Sequence, residues 1–253
     1  MATLPGDLIP VYSPARIYRS DQRFFARFAM MLAGIILLGF AQWSARGMVD
    51  VRTVPLWVHL HAGLMVSWLG LFAAQGVLAQ SFAAGPASRE LHRKLGFASL
   101  GVLAAIVLTG IFTGVRAVEL HRVPPFFTDA YFLALTSVGT LMFAGLVVWG
   151  IAKRRQSDWH RRLMLGSGIL LLEPALGRML PMPLLGPWGP FVEMCIQLGF
   201  VLLLARHDMR RSGMVHPATL AIGFAVIATI FIVTVLSIWP PFVSFASSVA
   251  GGA

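Results

Sequence analysis

The amino-acid sequence predicts an all-α polytopic membrane protein, a bundle of seven transmembrane helices, on three observations. The chain of 253 residues is 57% hydrophobic and only 12% charged, with a mean hydropathy of +0.78. That is more apolar surface than one soluble core can hide. The apolar residues are gathered into seven runs, near 24–45, 57–80, 94–118, 129–152, 161–180, 188–205 and 217–240. Each run is close to the roughly 20 residues a helix needs to cross about 30 Å of hydrocarbon. Finally, the cations alternate from loop to loop as they do in multi-pass proteins. Strands fit poorly, because the runs lack the alternation of a membrane barrel and lipid-exposed backbone must satisfy its own hydrogen bonds.

Taken in order, residues 1–27 read as a polar cytoplasmic tail, and 28–240 as the transmembrane bundle. The tail is too long for a signal-peptide n-region and no small-residue cleavage site follows, so the first run stays as an anchor. Pro55 precedes the second run, Ser88 the third, Pro124 and Pro125 the fourth, and Ser157 and Asp158 the fifth, while Pro217 opens the seventh. All are helix-start signals. Residues 241–253 read as a short C-terminal tail.

The net charge of +10 is spread as a topology signal, not as a nucleic-acid-binding stripe. With the N-terminus in the cytoplasm, 15 Lys and Arg residues fall inside and five, Arg46, Arg52, Arg116, Arg122 and Arg178, fall outside. The C-terminus is then outside. Six of the seven tryptophans also sit at expected interfaces, as aromatic belts require. The expected setting is a bacterial cytoplasmic (inner) membrane, with the lipid bilayer and other membrane proteins as surroundings and no nucleic acid. Cys195 is the only cysteine, so an internal disulfide and a thiolate metal cluster are excluded.

The phrase Leu91-His-Arg-Lys-Leu-Gly96 returns 68 residues later as Trp159-His-Arg-Arg-Leu-Met164. The same offset sets Glu90 on Asp158, His92 on His160, Arg93 on Arg161, Ser99 on Ser167 and His61 on Asp129. One reading is a duplicated helical hairpin, about 57–118 and 125–180, in the manner of parallel repeats. The other is that every cytoplasmic helix entry favours an acid at the cap, with histidine and arginine at the headgroups.

His61, His92, His121 and His160 alternate outer, inner, outer, inner, so pairing by depth joins His61 with His121 and His92 with His160. Two neutral imidazoles facing across a bundle hold a haem iron axially, and Arg93 and Arg161 are placed to meet propionates. This alternation resembles the four-histidine core of the transmembrane b-type cytochromes, and the resemblance implies haem b and electron transfer. The chain departs from that pattern at His121, in a Pro-rich loop about eight residues before the fourth run, where Asp129 holds the helical position.

A second resemblance covers most of the chain. The stretches His61-Ala-Gly-Leu-Met65 through Trp68, Leu91–Gly96, Trp159–Leu165, Pro174-Ala-Leu-Gly-Arg178 and Val215-His-Pro-Ala-Thr-Leu220 resemble a group of uncharacterised bacterial multi-pass membrane proteins. That group implies a fold and no particular reaction.

The most costly residue is Glu173, in Leu170-Leu-Leu-Glu-Pro-Ala-Leu-Gly-Arg178. It lies 13 residues, about 20 Å, beyond His160, in the outer half of the membrane. A carboxylate there must be protonated, paired or hydrated. Pro174 lacks an N–H and leaves the Leu170 carbonyl unpartnered, which opens the helix beside the acid. His61, Asp129, His59, Glu119, His121 and Glu193 are its candidate neighbours, and Arg178 either pairs with it or snorkels outward.

Three kinds of function follow. One is a b-haem or redox-associated protein with His92 and His160 at the cytoplasmic side; another is a proton-coupled transporter using Glu173 and Asp129; the third is an assembly or scaffold factor without chemistry. Membrane-embedded metal enzymology is a further alternative, although His59 and His61, two residues apart, point some 200° apart around a helix and cannot share one ion.

Overall fold

The computed structural model describes residues 14–81 and 85–251, with side chains from Asp21 onward. Ten α-helices follow in order: α1 (Pro14–Ala45), α2 (Leu56–Gln80), α3 (Pro86–Glu119), α4 (Asp129–Ala152), α5 (Ser157–Leu170), α6 (Leu172–Met179), α7 (Met182–Leu185), α8 (Gly189–Ser212), α9 (Pro217–Ile238) and α10 (Pro240–Ala250). Among the described residues there is no strand. Among the described residues six helices are long and apolar enough to cross a membrane: α1 from Asp21, α2, α3, α4, the continuous segment Met182–Ser212 ending in α8, and α9.

Local chemistry sets the ends. The Thr128 hydroxyl accepts from the Tyr131 amide at 3.1 Å, and His216 Nδ1 accepts from the Ala218 amide at 3.1 Å, so α4 and α9 each start on a side-chain cap. Proline fills the first turn of α3 and α9, where its missing N–H costs nothing. Gly213 ends α8 with φ of 73°, the left-handed conformation that only glycine adopts freely.

The expected boundaries shift in three places. Helix α1 begins at Pro14, well inside the segment read as a tail, and residues 1–13 of that segment lie outside the described residues. The side chains of Arg16 and Arg19 are likewise outside them. The C-terminal tail is helical: α10 packs against α3, α4 and α9. The fifth apolar run divides at Leu171 into α5, 14 residues, and α6, 8 residues, because Pro174 cannot donate to the turn before it.

This divided helix is the centre of the bundle. Residues 162, 163 and 165–172 are buried, and α5 packs against α1, α4, α8 and α9. Helices α2 and α3, and α4 and α5, pack as antiparallel neighbours, the two hairpins in which the repeated phrase falls. Helix α3 meets α4 closely at Gly114, where a Cβ would overlap the Thr136 side chain, a small-residue contact of the kind that joins membrane helices. The outer surface is apolar: Leu38, Leu108, Leu202, Phe224 and Phe231 are exposed. An apolar exterior of this kind matches a hydrocarbon solvent.

Candidate functional site

At the end of the bundle where α3 and α5 begin, His92 and His160 face each other. Their ring centroids are 6.4 Å apart, with planes inclined at 78°. Each residue is tied to its own hairpin partner. His160 Nδ1 lies 2.8 Å from the Gly150 carbonyl of α4. A carbonyl only accepts, so Nδ1 carries the hydrogen and Nε2 keeps its lone pair. The backbone carbonyl of His92 accepts from Gln75 Nε2 of α2 at 3.0 Å, while Gln75 Oε1 is buried without a hydrogen-bond partner.

The arginines beside them diverge. Arg93 is exposed and reaches Glu90 at 4.0 Å, with Lys94 3.1 Å from the same carboxylate. Arg161 is committed elsewhere: it pairs with Asp21 of α1, donates to Asp158 at 2.6 Å, and lies 4.3 Å from the Phe25 ring. His207 Nε2 of α8 approaches the other oxygen of Asp21 at 2.7 Å and its ring stacks on Phe24 at 3.7 Å. Deeper in, Arg162 pairs with the fully buried Asp208, which also accepts from Thr219 Oγ1 at 2.6 Å and the His216 amide at 3.1 Å. These contacts bind α1, α5, α8 and the start of α9 together. Asp21 and Asp208 escape sequence reasoning because both stand among arginines that read as headgroup anchors.

The outer histidines do not meet. His61 Nδ1 is 3.0 Å from Thr109 Oγ1, whose own hydrogen goes to the Ala105 carbonyl at 2.7 Å, so the ring donates to the threonine. His121 follows the end of α3, exposed, with φ of 50°. From Thr109 to Glu119 the helix rises roughly 15 Å, which separates the two along the axis. Asp129 sits in the first turn of α4, behind the Thr128 cap, where an acid favours the positive end of the helix dipole.

Glu173 has other company than His61 and Asp129. Where the central helix breaks, Gln197 of α8 donates to the Ile169 carbonyl at 2.9 Å and the Leu170 carbonyl at 3.3 Å. The second is the carbonyl that Pro174 leaves without its usual donor. A cavity of about 30 Å³ opens there, lined by Glu173, Glu193, Gln197 and Thr229 together with apolar side chains of α4 and α9. Glu193 is only 4% exposed, and its Oε1 has no hydrogen-bond partner. That oxygen lies against Gly177, where an added Cβ would come within 3.1 Å of it. The Tyr131 hydroxyl is buried without a partner and within electrostatic reach of both acids. Arg178 donates to the Pro174 carbonyl at 2.6 Å and lies 4.3 Å from the Phe40 ring. Its own carbonyl accepts from Gln42 at 2.8 Å.

Among the described residues no group of three or more His, Cys, Asp or Glu is placed to hold a metal ion. No protein-family model, curated protein or solved structure matches the chain.

Proposed function

We propose that this is a seven-span redox protein of a bacterial cytoplasmic membrane that binds one b-type haem, which His92 and His160 would hold near the cytoplasmic face. The observation that carries this reading is the approach of the two rings to 6.4 Å. Two imidazoles that bind one ion from opposite sides, through metal–nitrogen bonds of about 2 Å, have centroids roughly 6 Å apart. The tautomer suits the role as well: the Gly150 carbonyl holds the Nδ1 hydrogen of His160 and turns the Nε2 lone pair away from α4.

Two imidazoles alone leave a bare ion under-coordinated, and among the described residues no third His, Cys, Asp or Glu is placed with them to hold a metal ion. A porphyrin brings four nitrogens of its own, so a histidine pair is a sufficient protein contribution. When bound, the group supplies one-electron chemistry. This chain contributes the two ligands, the backbone contacts that orient them and, at headgroup level, the exposed cation Arg93 for a propionate. Arg161 serves the Asp21 network in this reading. The unpartnered Gln75 Oε1, next to the His92 backbone, leaves a polar acceptor at the same depth.

The cation bias supports the orientation, and the paired helices α5 and α6 supply the seventh crossing as one broken span, Ser157 to Met179. The resemblance to bacterial multi-pass proteins supports the same membrane. Purified protein from cells supplied with a haem precursor should show reduced-minus-oxidised Soret and alpha bands, lost in His92→Ala and in His160→Ala. Colourless wild-type protein rejects the proposal.

A further inference from the structure

We propose that Glu173 and Glu193 form an exchangeable proton-binding site inside the bundle, in which the two carboxyl groups and the small cavity between α6 and α8 hold one proton and its accompanying water. The inference is independent of the haem reading, because it rests on the other end of the bundle and on different helices.

Glu193 is the starting point. It is buried to 4% exposure with one oxygen unpartnered, and a buried acceptor without a donor is the arrangement that folded proteins avoid. A proton removes the difficulty, since a carboxyl O–H makes its own hydrogen bond and carries no charge into the hydrocarbon layer. The neighbour able to share that proton is Glu173, which lines the same cavity. Gly177, against which Glu193 Oε1 lies, is one turn beyond Glu173 on the same face of α6. The glycine matters here, because a side chain at position 177 would occupy the space that the carboxyl oxygen needs.

The surrounding charges favour holding one proton over holding none. Among the described residues, Arg178 of α6 is the cation within electrostatic reach of Glu173, and Glu193 stands within reach of Glu173 itself. Tyr131 of α4 contributes a neutral hydroxyl, and α9 contributes the Thr229 hydroxyl beside Val226 and Ile230. With both acids ionised, two negative charges would stand against one cation that is already donating to the Pro174 carbonyl. Like charges sharing a site cannot both remain ionised.

Volume selects the ligand class. A cavity of about 30 Å³ has room for about one or two waters and for no organic solute. The broken helix lends the place its polarity, and Gln197 already satisfies the Ile169 and Leu170 carbonyls. The groups left without partners, Glu193 Oε1 and the Tyr131 hydroxyl, are those that a water-borne proton would join.

The test uses the full chain in lipid vesicles, treated with dicyclohexylcarbodiimide, which attacks protonated carboxyl groups in apolar surroundings, followed by peptide mass spectrometry. Wild type should carry an adduct on Glu193 or Glu173 that declines as the pH is raised from about 6 to about 9, because the reagent attacks only the protonated carboxyl. Glu193→Gln should confine the adduct to Glu173, and Glu173→Gln should confine it to Glu193, each with unchanged thermal stability. Thr229→Val, which keeps both acids, should retain the adduct and reports on folding of the cavity. Absence of any adduct at acidic pH overturns the proposal, as does labelling that ignores pH. Protection by sodium ions at constant pH also overturns it and makes the pair a cation site.

Discussion

Asp208 of α8 receives two hydrogen bonds from Arg162 of α5 on a single oxygen, at 3.0 Å from Nε and 2.6 Å from Nη2, with both side chains buried. Its second oxygen is equally occupied, by Thr219 and the backbone of His216. The carboxylate is fully satisfied, and the start of α9 depends on it.

Removing one partner of such a pair leaves the other charge buried and uncompensated. Asp208→Ala should therefore destabilise the protein by about 3–5 kcal/mol, seen as a lowered melting temperature in detergent. Replacing both partners, Arg162→Met with Asp208→Leu, should recover most of the loss, because desolvation is then no longer unpaid. Asp208→Ala as stable as wild type would show that the ion pair contributes nothing.

His216 gives stability a pH dependence. Burial, followed by the charge of Arg162, holds its imidazole below the ordinary histidine value, while Asp208 and Asp158 oppose the shift. The neutral ring is also the one that caps α9, since Nδ1 accepts from the Ala218 amide. The folded protein thus binds this proton less readily than the unfolded chain. Its contribution is complete above about pH 6.5, the unfolded value, and is lost as the pH falls through the lower folded value. His216→Asn keeps a good cap without a titrating group. Thermal melts from neutral to mildly acidic pH should show a smaller acid loss for this variant, and an unchanged loss assigns the effect to other groups.

The break in the central helix can be dissected through Pro174 and Gln197. Gln197→Leu should cost about 1–3 kcal/mol, because the Ile169 and Leu170 carbonyls lose their donor. Pro174→Ala restores an amide that can return to the Leu170 carbonyl, so the same Gln197→Leu change should cost less in that background. A double-mutant cycle with no coupling would separate the glutamine from the proline.

Much of this architecture is legible in the sequence, for identifiable reasons. Lipid forces each crossing to be helical and apolar, so the runs are visible without any tertiary knowledge. The equal depth of His92 and His160 is legible because each opens the second helix of a hairpin. Pro174 announces the break, since a missing N–H acts locally. Its partner Gln197 is invisible, because it lies 27 residues from Leu170 and only packing brings α8 there. Asp208 and Arg162 are hidden for a similar reason: Arg162 aligns with Lys94 in the repeated phrase, yet Lys94 is 70% exposed and Arg162 only 6%. A charge at a helix entry reads as a headgroup anchor until the neighbouring helix is known. The pairing of His61 with His121 fails because His61 is level with Thr109, about 15 Å along α3 from the end that His121 follows, so lying in the same half of the membrane is not the same depth. Helix α10 is short, 11 residues opening on Pro240 and Pro241, so it carries no spanning signal.

The orientation of the chain offers the last prediction. Six described helices meet the length and hydropathy of a membrane crossing, and an even count returns the C-terminus to the side of the N-terminus. The central pair α5 and α6, 14 and 8 residues, changes the parity if it crosses as one broken span. At 1.5 Å per residue, the 22 helical residues of the two pieces rise about 33 Å, enough to cross a hydrocarbon core of about 30 Å even with a bend at Leu171. Lys and Arg resist translocation, and Lys153, Arg154 and Arg155 before α5 stand against the lone Arg178 at the end of α6, which is the asymmetry a crossing segment requires. An alkaline phosphatase fusion, active only outside the cytoplasm, should therefore be active after Ala253 and after Leu185, and silent when placed in the loop after Arg155. Activity after Arg155 together with silence after Ala253 would invert the whole bundle and put the His92–His160 pair at the outer face. Silence after both Leu185 and Ala253 would make α5 and α6 a buried re-entrant pair, with six crossings in place of seven.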